Sequence, residues 1–175
     1  MSTVAPERVH VALGSNLGDR AAALGKACDA LRALSSDGRL RCSPLYESAP
    51  MGPSDQPDYL NAVCAFTTSL APQALLAALQ RIENAAGRVR PAVRWSARTL
   101  DLDLLLYGAR RIDTPDLTVP HPGIAERTFV LMPLHDLDAS LDVPGQGAVS
   151  TLLAALDTDG IRRLPESEGA APWRT

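Results

Sequence analysis

Between Thr99 and Tyr107 the chain reads T-L-D-L-D-L-L-L-Y, and no other stretch restricts the fold as tightly. Side chains that alternate in character every second residue belong to a β-strand, whose successive residues point to opposite faces. Asp101 and Asp103 therefore share one face, with Leu100, Leu102 and Leu104 on the other. The strand rise puts the two carboxylates roughly 6–7 Å apart at Cα. Two carboxylates on an otherwise apolar strand are costly unless solvated, paired or bound to a cation. Their spacing suits hard divalent ions such as magnesium, which takes oxygen ligands together with substrate phosphates. An amphipathic edge strand with one wet face would leave the same pattern.

The rest of the chain supplies the partners such a strand needs. Val9 to Leu13 is a short apolar run ended by Gly14 and predicts a first strand. Asp19 can cap a helix whose Leu24, Ala27, Cys28, Leu31 and Leu34 recur at helical spacing. Leu40 to Ser48 predicts a second strand that Pro44 interrupts or confines to an edge. Asn61 to Ser69 predicts a third. Pro72 suits the first turn of a second helix that buries Leu75, Leu76, Leu79 and Ile82 and stops at Gly87. Beyond the carboxylate strand, Ile112 to Val119 predicts a short strand. Glu126 to Leu131 predicts a helix closed by Pro133, and Ser150 to Leu156 another helix. The order strand, helix, strand, strand, helix, strand is the split βαβ pattern: an α+β, ferredoxin-like βαββαβ core with an antiparallel sheet, its helices on one face, plus C-terminal additions. A chain of 175 residues forms one domain, 1–175, with its core about 8–165 and a tail expected to be disordered.

Two long loops flank these elements. The first, Ala49 to Pro57, is dense in Pro and Gly; the second, Arg88 to Thr99, is basic. Arg88, Arg90, Arg94 and Arg98 precede the aspartates directly, with Trp95 among them. Lys26 is the only lysine and lies in a helix, so no Walker-type phosphate loop exists. Phosphate neutralisation falls to arginine, whose fork matches phosphate oxygens. A solvated basic loop is the alternative. Tyr59 and Asn61 share a strand face and could stack on and hydrogen-bond a heterocycle, or simply pack a strand entrance. His121, between Pro120 and Pro122, is held in an extended loop and could meet phosphate or make a structural hydrogen bond. Phe129 could be core or half of a stacking clamp. His10 and His135 have only a structural reading.

Net charge decides against a nucleic-acid partner: at −3 the chain lacks the basic face such partners demand. Cys28, Cys42 and Cys64 are odd in number and isolated along apolar segments, so they read as buried small hydrophobes in a reducing compartment and not as a disulfide or zinc framework. No membrane span and no signal peptide are expected, and the chain reads as a cytoplasmic protein with no membrane partner.

Together these segments resemble the 6-hydroxymethyl-7,8-dihydropterin pyrophosphokinases of folate synthesis. The resemblance is carried by Ala12 to Leu17 (A-L-G-S-N-L), Gly52 to Asn61 (G-P-S-D-Q-P-D-Y-L-N), and Gln80 to Glu83 with Gly87 to Arg90. It continues through Arg94 to Asp103 (R-W-S-A-R-T-L-D-L-D) and Val119 to His121 with Arg127 and Phe129. It implies an ATP-dependent diphosphokinase that uses two magnesium ions and acts on ATP and the hydroxymethyl-dihydropterin, as a monomer. It further implies that Asp101 and Asp103 hold the metals and that Arg88 and Arg98 act on the transferring diphosphate. Gln80, Glu83, Arg90, Trp95, Arg98, Leu104 and His121 would line the ATP site. The pterin would lie between Tyr59 and Phe129, with Ser48, Ala49, Met51, Gly52 and Asn61 around its edge. Three loops, after the first strand, around Ala49 to Pro57 and around Arg88 to Arg98, would close over both substrates. Family members often carry a basic residue where Pro91 and Asp116 stand here. A non-catalytic metabolite sensor and a kinase that moves only the γ-phosphate are the rival readings.

Overall fold

The structure is a computed structural model that describes residues 3–50, 55–87 and 99–165. In chain order its elements are β1 (Thr3–Ser15), α1 (Arg20–Leu34), β2 (Arg41–Cys42), β3 (Tyr46–Ser48), β4 (Tyr59–Leu70), α2 (Pro72–Ala85) and β5 (Asp101–Tyr107). After them come β6 (Ile112–Asp113), β7 (Thr118–Val119), a 3-10 turn at Ile124–Glu126, α3 (Thr128–Leu137), β8 (Asp142–Val143), β9 (Gly147–Ala148), α4 (Val149–Ala154) and β10 (Ile161–Arg163).

A six-stranded sheet runs in the order β10-β3-β4-β1-β5, with β2 also on β4, and all its pairings are antiparallel. The expected βαββαβ core is present: β1 lies between β4 and β5. The interruption at Pro44 splits the second strand into β2 and β3. Proline has no N–H to give the ladder; Ser43 beside it still pairs with Val63, donating its N–H to the Val63 carbonyl at 2.9 Å and accepting the Val63 N–H on its hydroxyl at 3.0 Å. Asp19 caps α1 as expected, accepting the Ala22 N–H at 3.1 Å. α2 opens on Pro72 and is followed by Gly87 at φ +93°, a left-handed conformation that a Cβ would strain.

Two apolar clusters sit on opposite faces. Leu24, Leu31, Leu75 and Leu79 from α1 and α2 pack on Val9, Val11, Leu13, Leu102 and Leu104. The other face carries Leu105, Leu106, Val63 and Ala65 beneath Val130, Leu131, Leu134 and Val149 of α3 and α4. The additions after β5 thus cover a face that the two core helices leave bare.

Three expectations need correction. Ile112 to Val119 is not one strand but two, β6 and β7, paired antiparallel across a turn at Thr114–Leu117. Pro133 does not end its helix: α3 starts at Thr128 and continues to Leu137 with Pro133 inside it. Proline removes one bond, that to the carbonyl of Phe129, at a cost of about 3 kcal/mol. Burial of Val130, Leu131, Leu134 and Leu137 offsets it, since each such side chain contributes about 1.5–3 kcal/mol. The cysteines, isolated along the sequence, converge: Cys28 Sγ is 3.7 Å from the sulfurs of both Cys42 and Cys64. A strand near the C-terminus, β10, was not foreseen either; it adds to β3. The expected disordered tail falls in residues 166–175, outside the described residues. Among the described residues no helix is long and apolar enough to cross a membrane.

Candidate active site

Strand register assembles the site. Gly14 pairs with Asn61 on one side and Asp101 on the other, and Ala12 pairs with Val63 and Asp103. Residues directly opposite in a sheet point to the same face. Tyr46 pairs with Asn61 and Ser48 with Tyr59, so Ser48, Tyr59, Asn61, Gly14, Asp101 and Asp103 all face one way. Gly14 is the floor between them: a Cβ there would lie 3.4 Å from Tyr59 Cδ1 and 3.6 Å from Asn61 Oδ1.

The pleat of β5 breaks just past the carboxylates. Val11 pairs with Leu104 and His10 with Leu106, leaving Leu105 as an extra residue in a bulge. Leu105 and Leu106 both join the cluster under α3, and Tyr107 returns to the opposite core. One face of the sheet is therefore dry under α3 and α4 and polar at the end that carries Asp101 and Asp103.

His121, Arg127 and Phe129 stand at the boundary. The His121 backbone N–H donates to the Leu105 carbonyl at 3.0 Å, and its Nδ1 accepts the Gly123 N–H at 3.1 Å. Its Nε2 is 3.9 Å from Asp103 Oδ2. Burial, and then the nearby Arg127 charge, push its pKa down to about 4 against the opposing pull of Asp101. The ring is thus neutral at pH 7; with Nδ1 accepting, Nε2 carries the proton. Arg127 Nη1 lies 3.8 Å from the same Asp103 oxygen, and its guanidinium sits 5.9 Å from the centre of the Phe129 ring.

On the far side, Asn61 donates from Nδ2 to Ser48 Oγ at 2.8 Å, and both residues are buried. The start of β4 is tied down from behind: Arg20 donates to the Asp58 carbonyl at 2.9 Å and pairs with Glu47 at 2.9 Å, which also meets Arg162 at 3.2 Å. The Arg20 hydrogen bond, foremost, holds the Glu47 carboxyl below its usual range. Asn16 Nδ2 reaches Gln56 Oε1 and the Pro57 carbonyl, each at 3.1 Å.

Of the residues expected to bind nucleotide, Asp101, Asp103 and His121 meet on the polar face. Gln80, Glu83 and Leu104 do not join them. Gln80 is exposed on α2; Glu83 is buried and accepts the Leu102 N–H at 2.7 Å; the Leu104 side chain is buried in the core under α1 and α2. Because β5 is an edge strand, the two groups lie on either side of one exposed margin. Ser48, Tyr59 and Asn61 come together on the same face, Ala49 is exposed at the end of β3 and Phe129 borders that face. Met51, Gly52, Arg88, Arg90, Trp95 and Arg98 lie outside the described residues, as does Pro91. Asp116 is exposed between β6 and β7. Sequence reasoning gave no role to Arg20 or Arg127; only register and tertiary contact reveal them. A cavity of about 630 Å³ lies elsewhere, between α1 and α2, and holds none of these side chains.

The fold is an α+β sandwich of ferredoxin-like order, and its polar face presents a hard, all-oxygen donor set in two half-buried carboxylates, a set that fits a magnesium-class cation. The sequence model of the 7,8-dihydro-6-hydroxymethylpterin-pyrophosphokinase family matches residues 10–139. A 2-amino-4-hydroxy-6-hydroxymethyldihydropteridine pyrophosphokinase from Pseudomonas aeruginosa is 49% identical over 159 residues, 91% of this chain and 98% of that protein. Its namesake from Haemophilus influenzae is 45% identical over 144 residues, 82% of this chain and 89% of that protein. The crystal structure of wild-type Plasmodium falciparum HPPK-DHPS with pteroate superposes with a TM-score of 0.72 at 11% identity, covering 91% of this chain and 48% of that longer one. At that identity the superposition speaks for the fold alone. This chain belongs to the 7,8-dihydro-6-hydroxymethylpterin-pyrophosphokinase family.

Proposed function

We infer that this protein transfers the pyrophosphoryl group of ATP to the hydroxymethyl group of 6-hydroxymethyl-7,8-dihydropterin, giving AMP and the pterin diphosphate in folate synthesis. The observation that carries this reading is the shared face of Asp101, Asp103, Tyr59 and Asn61, which sets two carboxylates beside an aromatic ring and a carboxamide. Asp101 and Asp103 would hold two magnesium ions, which when bound neutralise phosphate charge and orient the triphosphate.

The chain's own groups then do three things. Tyr59 and Phe129 stack the pterin while Asn61, Ser48, Ala49, Met51 and Gly52 meet its edge, and the bare floor at Gly14 lets the ring settle against the sheet. His121, kept neutral, and Arg127 flank Asp103 and neighbour the phosphates. Arg88 and Arg98 act on the transferring diphosphate, with Arg90 and Trp95 among the ATP-binding residues, and Gln80, Glu83 and Leu104 receive the nucleotide across the β5 margin. The pterin hydroxyl attacks the β-phosphorus and loses its proton as the bond to the α-phosphate oxygen breaks, with AMP as leaving group. Positioning and charge neutralisation account for most of the catalysis, and no covalent enzyme intermediate is needed.

Incubation with ATP, magnesium and the hydroxymethyl-dihydropterin tests this directly. AMP must appear; ADP would reveal a simple kinase, and binding without turnover a sensor. Asp101→Ala and Asp103→Ala should each nearly abolish AMP formation with the far-ultraviolet spectrum unchanged, and activity near wild type in either would refute the metal role.

A further inference from the structure

The cysteine cluster belongs to a different part of the molecule from the proposed active site. Cys42 and Cys64 are directly opposite each other in β2 and β4, so both point to the face covered by α1. Cys28, on α1, comes down between them. Its sulfur is 3.7 Å from each of the other two, and all three sulfurs lie within 4.8 Å of one another. Cys28 and Cys64 are buried and Cys42 is half-buried at the sheet margin.

One cation acts on the cluster. Arg32, one helical turn beyond Cys28, pairs through Nη1 with the exposed Asp29 at 3.0 Å. Its Nη2 is buried with no hydrogen-bond partner among the described residues. The charge of Arg32 favours the thiolate of both Cys28 and Cys42. Hydrogen bonds from Cys42 and Cys64 hold the Cys28 thiol down at about 5, whereas burial drives Cys64 up.

We propose that Cys28, Cys42 and Cys64 form a three-coordinate thiolate site for a soft d10 cation, Cu(I). A metal–sulfur bond of about 2.3 Å spaces the three sulfurs of a planar trigonal site about 4.0 Å apart, so shifts of under about 1 Å bring the three sulfurs to that spacing. Zinc requires a fourth ligand in closed sites, and among the described residues no further Cys, His, Asp or Glu is grouped with these three. Thiolate softness selects Cu(I) over hard cations. Binding displaces the thiol protons that remain, and the resulting tris-thiolate, with net charge −2, is partly compensated by Arg32. The ion enters at Cys42 and fastens α1 to the sheet edge that leads into β3.

The test is anaerobic titration of the whole protein with Cu(I), supplied as its acetonitrile complex, against the chelator bathocuproine disulfonate. One equivalent per chain should be withheld from the chelator, with new ultraviolet thiolate-to-copper absorption. X-ray absorption should give three sulfur neighbours, and the thermal midpoint should rise by several degrees. Cys42→Ser, at the half-exposed position, should fold normally and lose at least tenfold in affinity; Cys64→Ser should lose the bound equivalent. No retained copper, retention undiminished in Cys42→Ser, two-sulfur or nitrogen coordination, or Zn(II) holding the site as tightly would each overturn the proposal. Should Cys64→Ser fail to fold, the Cys42→Ser affinity and the wild-type absorption spectrum decide alone.

Discussion

Acidification should unfold this protein largely through two histidines. His10 is 5% exposed in β1, and its pKa falls from 6.5 to about 4. Burial is the main cause, Arg8 and Arg41 push the same way, and Asp138 opposes them. His121 falls to about 4 for the same leading reason. Between these values the unfolded chain binds protons that the folded chain refuses. Stability is therefore full above pH 6.5, declines as pH falls toward 4 and levels off below it. The gap is worth about 3 kcal/mol per histidine at its limit, and about 2 kcal/mol each at pH 5 by the linkage relation. Together they remove about 4 kcal/mol at pH 5 from a total of roughly 5–15 kcal/mol.

Urea midpoints followed by circular dichroism at half-unit intervals from pH 7 to pH 4.5 measure this slope. His10→Leu separates the contributions. The imidazole Nδ1 has no hydrogen-bond partner among the described residues, so leucine orphans no acceptor at that atom and should leave stability at pH 7 equal or higher. The pH slope should fall by about half. The depressed carboxyls of Glu47 and Asp138 work lower, their stabilisation being lost as pH drops below the ordinary carboxylate range, so they bend the curve only at its acid end. An unchanged slope in His10→Leu would refute the assignment.

Four other outcomes follow from named contacts. Gly14→Ala should keep the thermal midpoint within a few degrees, because a Cβ there meets only ordinary contacts, yet raise the pterin KM several-fold; an unchanged KM would remove Gly14 from the floor. Glu83→Ala should cost about 2–3 kcal/mol in urea unfolding, since it strands the buried Leu102 N–H, and a loss under about 0.5 kcal/mol would show the tie to be unimportant. Arg20→Ala, which frees the Asp58 carbonyl and Glu47, should raise the pterin KM several-fold with kcat little changed; a kcat loss alone would contradict a positioning role. Chelation with EDTA should abolish AMP formation and added magnesium should restore it, whereas turnover persisting in chelator would dismiss the carboxylate pair as cation ligands.

The parts of the fold legible in the sequence were those set by neighbours along the chain. Alternation around Asp101 gave the strand and its two faces, Asp19 gave the helix start, and Pro44 gave the break between β2 and β3. Residues whose surroundings come from distant segments were not legible. Pro133 was read as a stop because local rules count only the lost hydrogen bond, whereas burial on the second face decides. The cysteines looked isolated because 14 and 36 residues separate Cys28 from its two neighbours. Arg127 stood in a recognisable motif, but its proximity to Asp103 depends on how α3 docks.

The bulge at Leu105 shows how one local irregularity divides the molecule. With strict alternation, Leu106 would follow Leu102 and Leu104 into the core under α1 and α2, and Tyr107 would point away from it. The extra residue instead gives Leu105 and Leu106 to the α3 cluster and returns Tyr107 to the first core, where its hydroxyl donates to the Leu70 carbonyl at 2.7 Å. The same edge carbonyl at Leu105 receives the His121 N–H, so the segment bearing the imidazole is anchored where the dry half of the face begins. Two residues before it, Asp103 stays at the polar end with His121 and Arg127 alongside. A strand that must seal a core and offer two carboxylates on one face needs a place to change character, and the run of three leucines with a bulge in it provides that place.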